Sequence, residues 1–482
     1  MRGIVSSAGY VPYRRLQRAA VSQFFGSGGG KGTRAVASHD EDSTTMGVEA
    51  ARLALAGAPG AAPAALWFAT ASPAYLDKTN ASAVHAALRL PAEVPAYDFG
   101  GALRSGAGSL VSSLTGGSGT SLVVLADLRD GLPTSSDESA GGDGAAALVV
   151  GDDGPGTPVV AEYLGGASVT DEFVDRWRAP GERRSRVWEE RFGETRYVPL
   201  GTQAWEAGLK DAGVTPGEVD AVAVVGMHGR AAKALTRSLG VAPEALADDL
   251  SATVGQTGSA HIGLVLASLI ERASPGQVLA VVGLADGADV LVFRTTGALA
   301  SWTPARPVAD QVAGGADLPY AKFLAWRGMV DPEPPRRPEP ARVSSSAAWR
   351  NDAWKYGFVG SEDRTSGAIH LPPARISMQG GAVDDMEPIA RADARATIAT
   401  YTIDRMAYSP SPPVVFAILD FDGGGRFPVE LTDVDPDAVA IGDRVEMTFR
   451  KLFTADGIHD YFWKAKPVRT TTPTTTTPAP EG

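Results

Sequence analysis

The 482-residue chain contains no cysteine. That absence excludes disulfides, thiolate metal sites and thiol nucleophiles together. Positive charge is scarce as well: 44 Lys and Arg stand against 56 Asp and Glu, for a net charge of −12. A nonspecific nucleic-acid binder needs a basic footprint, so nucleic acid is not an expected partner, although local positive pockets for small anions are compatible with this balance. No stretch is apolar for long enough to span a bilayer, and Met1-Arg2-Gly3-Ile4-Val5-Ser6-Ser7 does not lead from charge into a long apolar run. The expectation is a cytoplasmic protein without a membrane partner.

What is present suits a soluble globular protein of two or three domains: 44% of residues are hydrophobic and 21% charged. The chain repeats itself. An amphipathic helix from Thr44, the strand Ala65 to Thr70 and a helix from Ala81 to Leu90 return as a helix from Thr202, the strand Ala221 to Gly226 and a helix from Ala231 to Leu239. The helix Ser105 to Leu114 and the strands Ser121 to Leu125 and Gly144 to Gly151 likewise match Gly258 to Arg272, Val278 to Val282 and Ala288 to Arg294. Each strand is nearly continuously apolar, as in sheets covered on both faces, and two such halves bring their loops together at a central cleft.

At the centre of the first copy, Tyr97-Asp98-Phe99-Gly100-Gly101-Ala102-Leu103-Arg104-Ser105-Gly106 is a small-residue turn opening an apolar helix. Glycines there permit tight geometry and close approach of a ligand, and the helix aims its first N–H groups at whatever sits in front of it. The same pattern also serves a turn that only packs. Gly26-Ser27-Gly28-Gly29-Gly30-Lys31-Gly32-Thr33 imitates a phosphate-binding loop, but Gly32 stands where Ser or Thr should follow the lysine, and the reading is rejected.

Pro304 to Pro340 is rich in proline and charge and reads as a linker, with Tyr320, Phe323, Leu324 and Trp326 at helical spacing inside it. Beyond it the period shortens. Thr397 to Ile403, Val414 to Phe421, Phe427 to Leu431, Arg444 to Phe449 and His459 to Pro467 read as five strands of a small antiparallel barrel of the OB type, and the Thr/Pro tail reads as disordered.

The duplicated halves, the run Gly141-Gly142-Asp143-Gly144-Ala145-Ala146-Ala147, the later Gly255-Gln256-Thr257-Gly258-Ser259-Ala260 and the segment Ser38 to Met46 together resemble the thiolase superfamily, in particular its prokaryotic hydroxymethylglutaryl-CoA synthase branch. The region after residue 318 resembles the OB-fold domains, usually preceded by a rubredoxin-like zinc ribbon, that accompany thiolases. The resemblance implies a duplicated, five-layered α/β thiolase-like fold followed by an all-β barrel. Its expected parts are thiolase-like halves at 1–160 and 161–300, a Pro-rich linker with a short helix at 301–345, a degenerate zinc ribbon at 346–385, an OB-fold domain at 386–468 and the tail at 469–482.

In such a family a cysteine at a helix N-terminus carries the acyl group, a histidine polarises the thioester and a carboxylate moves the proton. The resemblance puts Leu103, or Ala102, at the cysteine position and Ala71 at the carboxylate position. The histidine is present as His228, with Gln256 where its amide partner, usually asparagine, is expected. Ser105 and Ser109 are the hydroxyls nearest the lost thiol, although caps and packing explain both. Arg104, Arg230 and Lys233 are the cations nearest for coenzyme A. The four zinc-ligand positions hold Asp363, Ser366, Ser377 and Gly380, so tetrahedral zinc is not expected, and no other cofactor is required.

These residues imply a catalytically degenerate subunit that binds or channels acyl-CoA and assists a thiolase-type partner in C–C bond formation or cleavage, as a homodimer or in complex with a thiolase-type acyltransferase. Two alternatives stay open: an active acyltransferase, decarboxylase or lyase on CoA thioesters that uses His228 without a covalent intermediate, and a structural assembly protein with its cleft closed.

Overall fold

In the computed structural model, residues 1–117, 119–182 and 184–469 are described. Residues 470–482, nearly all of the expected disordered tail, lie outside them. The first half runs β1 (Arg2–Tyr10), β2 (Arg14–Gln17), α1 (Ala19–Phe25), β3 (Thr33–Val36), α2 (Ser43–Ala56), β4 (Ala65–Thr70), α3 (Ala81–Ala87), β5 (Ala96–Gly100), α4 (Ser105–Thr115), β6 (Ser121–Asp127), α5 (Ser136–Ala140) and β7 (Gly144–Asp152). The second runs β8 (Ala161–Thr170), β9 (Arg176–Trp177), β10 (Arg186–Val187), α6 (Glu190–Ala212), β11 (Ala221–Gly226), α7 (Gly229–Thr236), α8 (His261–Arg272), β12 (Val278–Leu284) and β13 (Gly287–Thr295).

Nine strands form one sheet in the order β11-β12-β13-β8-β1-β7-β6-β4-β5. Its two halves meet where Gly3 and Ile4 of β1 pair with Glu162 and Ala161 of β8. The layers follow from which apolar face each helix buries. Met46, Val48, Ala50 and Ala51 of α2 and Val84 of α3 pack on one face of the first half. Leu110 and Leu114 of α4, with Leu264, Leu266 and Leu269 of α8, fill the space between the halves. Ala204, Trp205 and Leu209 of α6 and Leu235 of α7 cover the far face of the second. Helix α6 starts at Glu190 rather than near Thr202, because its early buried residues are Gly193, Tyr197 and Gly201, which carry no aliphatic period.

The proline-rich stretch is less of a linker than its composition suggests. Helix α9 (Val308–Ala313), strand β14 (Ala316–Asp317) and helix α10 (Tyr320–Trp326) lie within it. β14 pairs with β2, and Tyr320, Phe323 and Leu324 bury against Leu16, Val21 and Val36. The helical spacing of those aromatics thus serves packing within the chain.

Helices α11 (Ser345–Arg350) and α12 (Asp352–Lys355) lead to a small sheet of β15 (Val359–Asp363), β16 (Ile369–His370) and β17 (Met386–Ala390). Then β18 (Arg395–Asp404), β19 (Val414–Phe421), β20 (Arg426–Leu431), β21 (Arg444–Ala455) and β22 (Ile458–Pro467) close a barrel in the order β18-β19-β20-β22-β21. The barrel docks on the α2 side of the first half through buried charge. Lys466 pairs with Glu49 at 3.0 Å, Lys464 with Asp40 at 3.1 Å, and Arg450 with Glu41. Tyr461 donates its hydroxyl to Asp42 at 2.7 Å, and Arg52 stacks over Trp463.

Candidate functional site

The ends of β4, β5 and β6, the loop after β11 and the turn between β12 and β13 converge on one cavity of about 1020 Å³. Asp127, at the end of β6, holds its floor together. The carboxylate is fully buried and accepts hydrogen bonds from the Thr70 hydroxyl (3.0 Å), the Ala71 N–H (2.7 Å), the Ser72 hydroxyl (3.1 Å) and the N–H and hydroxyl of Ser259 (2.7 and 2.9 Å). One buried acid thereby ties the end of the first half to the loop preceding α8, an arrangement that satisfies buried donors with a charged acceptor.

The turn before α4 reaches this floor with Gly100, Gly101, Ala102 and Leu103 lining the cavity. Gly101 has φ of +91°, a conformation that favours glycine. Gly106, the second residue of the helix, has no room for a side chain, since a Cβ there would lie 2.0 Å from the Ser259 carbonyl oxygen. Leu103 and Ala71 both line the cavity.

His228 lines the same cavity, at the start of α7. Its Nδ1 accepts the Ala231 N–H at 3.0 Å as the helix cap, which leaves the ring proton on Nε2, bonded to the Glu190 carbonyl at 2.9 Å. Both ring nitrogens are therefore occupied by main chain. Gln256 is 7% exposed and lines a separate, smaller cavity of about 30 Å³, which shares Leu103, Met227, Leu284 and Ala285 with the large one. His228 lines the large cavity and Gln256 the small one, with those four residues common to both.

The remaining sequence candidates lie off the cavity. Ser105 donates its hydroxyl to the Gly100 carbonyl at 3.3 Å, and Ser109 donates to the Gly106 carbonyl at 2.9 Å. Arg104 pairs with Asp289 at 2.8 Å and also donates to Thr170 and to the carbonyls of Val169 and Asp286, so its guanidinium is saturated. Arg230 pairs with Glu194, and Lys233 is exposed on α7.

Several cavity residues carried no signal in the sequence. Asp175, Arg176 and Arg178 come from the segment between β8 and α6, Asp286 from the turn after β12, Arg129 from the loop after β6, and Lys451 and His459 from the barrel. Asp175 is 3% exposed, and its Oδ1 has no hydrogen-bond partner among the described residues. Burial raises the pKa of Asp175 and of Asp286, against the pull of His228 and Arg176 on the first and of Arg104 on the second. Segments from four separate places in the chain meet here, which no local pattern reports.

In the segment expected to be a degenerate zinc ribbon, hydrogen bonds engage Asp363, Ser366 and Ser377. Ser366 donates to Asp363 at 2.6 Å, the Thr365 N–H donates to it at 2.9 Å, and His370 Nε2 lies 3.3 Å from the Ser377 hydroxyl. The Ser366 and Ser377 hydroxyls hold Asp363 down to about 2. Among the described residues no group of three or more His, Asp or Glu side chains is placed to hold a metal ion. None of their helices is long and apolar enough to cross a membrane.

Comparison with known proteins agrees with this architecture. Residues 209–292 match the family model for the C-terminal part of 3-oxoacyl-[acyl-carrier-protein] synthase III, and residues 390–450 match that for the C-terminal OB-fold domain of ChsH2. The chain is 28% identical over 299 residues to hydroxymethylglutaryl-CoA synthase of Pyrococcus horikoshii, covering 60% of this chain and 85% of that protein. It is 29% identical over 124 residues to a DUF35 domain-containing scaffold protein of Methanothermobacter thermautotrophicus, covering 25% of this chain and 92% of that one. Among solved structures, an HMG-CoA synthase complexed with CoA superposes with a TM-score of 0.58 at 17% identity, over 67% of this chain and 89% of the other. The synthase III FabH from Pseudomonas aeruginosa PAO1 superposes with a TM-score of 0.52 at 20% identity, over 61% and 98%. The chain thus joins a domain with the thiolase-like fold, similar to hydroxymethylglutaryl-CoA synthases, to a C-terminal OB-fold domain.

Proposed function

We propose that the protein is a catalytically degenerate thiolase-superfamily subunit that binds or channels acyl-CoA and assists a thiolase-type partner in forming or cleaving C–C bonds. The observation that carries this reading is the pairing of an open cavity with inert side chains: Leu103 and Ala71 line about 1020 Å³ of accessible space, a volume at the upper end of small-molecule sites. An open cavity argues for a ligand and against a purely structural body. Leucine and alanine argue against a covalent intermediate and a proton-transferring carboxylate at those two positions. Coenzyme A is the ligand class that the solved HMG-CoA synthase complex suggests.

An unpaired sheet edge supports association. β5 ends the nine-stranded sheet, with Tyr97 55% exposed and stacked on Trp67, and nothing within 4 Å of the place a Cβ on Gly108 of the following helix would occupy. A homodimer or a heteromer with a thiolase-type acyltransferase would cover this edge, and the scaffold protein among its relatives favours the second arrangement. The active alternative retains one supporting feature, the unpartnered Asp175 oxygen in the cavity. Reconstitution decides between them. The pair should turn over acyl-CoA faster than the thiolase-type partner alone, while this protein alone should not. Equal partner activity with and without it removes the proposal, and turnover by the isolated protein that is lost in His228→Ala installs the alternative.

A further inference from the structure

Another cavity, of about 80 Å³, lies in the seam between the thiolase-like body and the barrel and shares no lining residue with the large one. From the body, β2 contributes Arg14, the segment before α2 contributes His39, and α10 contributes Lys322 and Trp326, while the barrel closes the opposite wall around Pro413 and Asp433. The Arg14 guanidinium lies over the Tyr13 ring at 5.0 Å, and its buried Nε has no hydrogen-bond partner among the described residues. Lys322 places Nζ 5.2 Å from the centre of the Trp326 ring, and burial and the neighbouring Arg14 charge both lower its pKa. Among the described residues neither cation forms an ion pair. The Trp326 Nε1–H and His39 Nδ1 are buried without partners among the same residues, their rings 5.5 Å apart, and burial keeps the imidazole neutral near pH 7. The acids nearby are held by other groups. Asp433 pairs with Arg450 at 2.9 Å and accepts the Ser38 hydroxyl at 2.8 Å, and Glu430 pairs with Lys464. Beside Pro436, Asp435 accepts the Asp437 N–H at 3.1 Å, and Asp437 lies 3.7 Å from Arg405.

In a protein of net charge −12, Arg14 and Lys322 thus form a local excess of positive charge. The Trp326 N–H stands beside them, and His39 with its proton on Nδ1 donates as well. Water satisfies a neutral donor but leaves the repulsion between the two cations in place. One shared anion does both, through charge-assisted hydrogen bonds. Size narrows the choice. A water needs roughly 10–15 Å³ of such space, so a cavity of about 80 Å³ takes a few waters or one small oxyanion and has no room for a nucleotide or a whole coenzyme. A phosphate group, with several acceptor oxygens and a charge of about −1.5 to −2 near pH 7, matches two cations and two neutral donors, whereas a carboxylate brings two oxygens and a single charge.

We infer that this seam is a phosphate-binding site, in which Arg14, Lys322, Trp326 and His39 hold inorganic phosphate or the phosphate of a monoester between the body and the barrel. Calorimetric titration of the full chain with inorganic phosphate, glycerol 3-phosphate and acetate, at one pH and ionic strength, tests this. Phosphate should bind at least about tenfold more tightly than acetate, and its affinity should fall about tenfold in Arg14→Met and in Lys322→Met, the worth of one charge-assisted hydrogen bond. Trp326→Phe keeps a ring and removes the N–H, and it should lower the affinity about fivefold. Lys322 is exposed, so Lys322→Met should melt with the parent in the absence of phosphate. Added phosphate should then raise the melting temperature of the parent and leave that of Lys322→Met unmoved. Acceptance of glycerol 3-phosphate extends the site to monoesters, and its exclusion restricts the site to the free ion; both support the inference. Absence of phosphate binding in the parent overturns it. So does equal affinity in the parent and the three variants, or acetate bound as tightly as phosphate.

Discussion

Lys466 of the barrel and Glu49 of α2 form an ion pair of 3.0 Å with both side chains buried, 417 residues apart in the chain. Glu49 also accepts from Arg52 at 2.8 Å, and the two cations hold it far below the usual carboxylate range despite its burial. Removing one partner of such a pair strands the other. Glu49→Ala should cost about 3–5 kcal/mol in urea unfolding, whereas the joint replacement Glu49→Leu with Lys466→Met should recover much of that loss. A double-mutant cycle that adds without coupling would refute a stabilising pair.

His39 sits beside this network, against Trp326. Burial holds its pKa down to about 4, against the pull of Asp40. The folded value lies below the unfolded one, so the folded state binds this proton less readily. The associated stability is present above the unfolded pKa of about 6.5 and is lost as pH falls toward 4, by up to about 3 kcal/mol. His261, with its pKa also pushed down to about 4 by burial, contributes in the same direction. Melting temperature against pH in His39→Gln should slope less steeply over that window than in the parent, and identical slopes would show that His39 titrates freely.

Leu103 gives access to the cavity from the start of α4. Because the chain has no cysteine, Leu103→Cys creates a unique thiol. Mass spectrometry should find it alkylated by iodoacetamide in the folded protein, with acyl-CoA protecting it, while Ser109→Cys, fully buried, should react only on unfolding. Unprotected labelling in saturating CoA would separate the cavity from the ligand.

Tyr97 on the edge strand provides a test of association. Tyr97→Asp places charge on an unpaired, apolar edge and should shift light-scattering mass toward the monomer, without lowering the melting temperature by more than a degree or two. An unchanged mass would place the contact elsewhere.

The strands were legible because their signals are local. β4 and β11 fall where their apolar runs begin and end, and four of the five barrel strands lie within two residues of their pattern, while β21 extends beyond it to Ala455 because its outer half keeps pairing with β22 past the apolar run. The cavity lining was legible at the glycine-rich turn from Gly100 to Leu103 and, through the resemblance, at Ala71 and His228. Arg129 and Asp175 look like ordinary surface charges in sequence and acquire meaning only when a loop from each half folds over the same space. His228, whose place in the chain announces a reactive group, also caps α7 through its ring nitrogen, a role the sequence does not report.

Lys451 and His459 belong to the barrel, yet they form part of the wall of a cavity built by the thiolase-like body. Because one covalent chain carries both, the wall is present in a fixed one-to-one ratio and survives dilution that would separate two subunits. Whatever the barrel contributes to ligand capture is therefore independent of protein concentration, and any dependence on concentration must come from what joins the outer edge of the sheet.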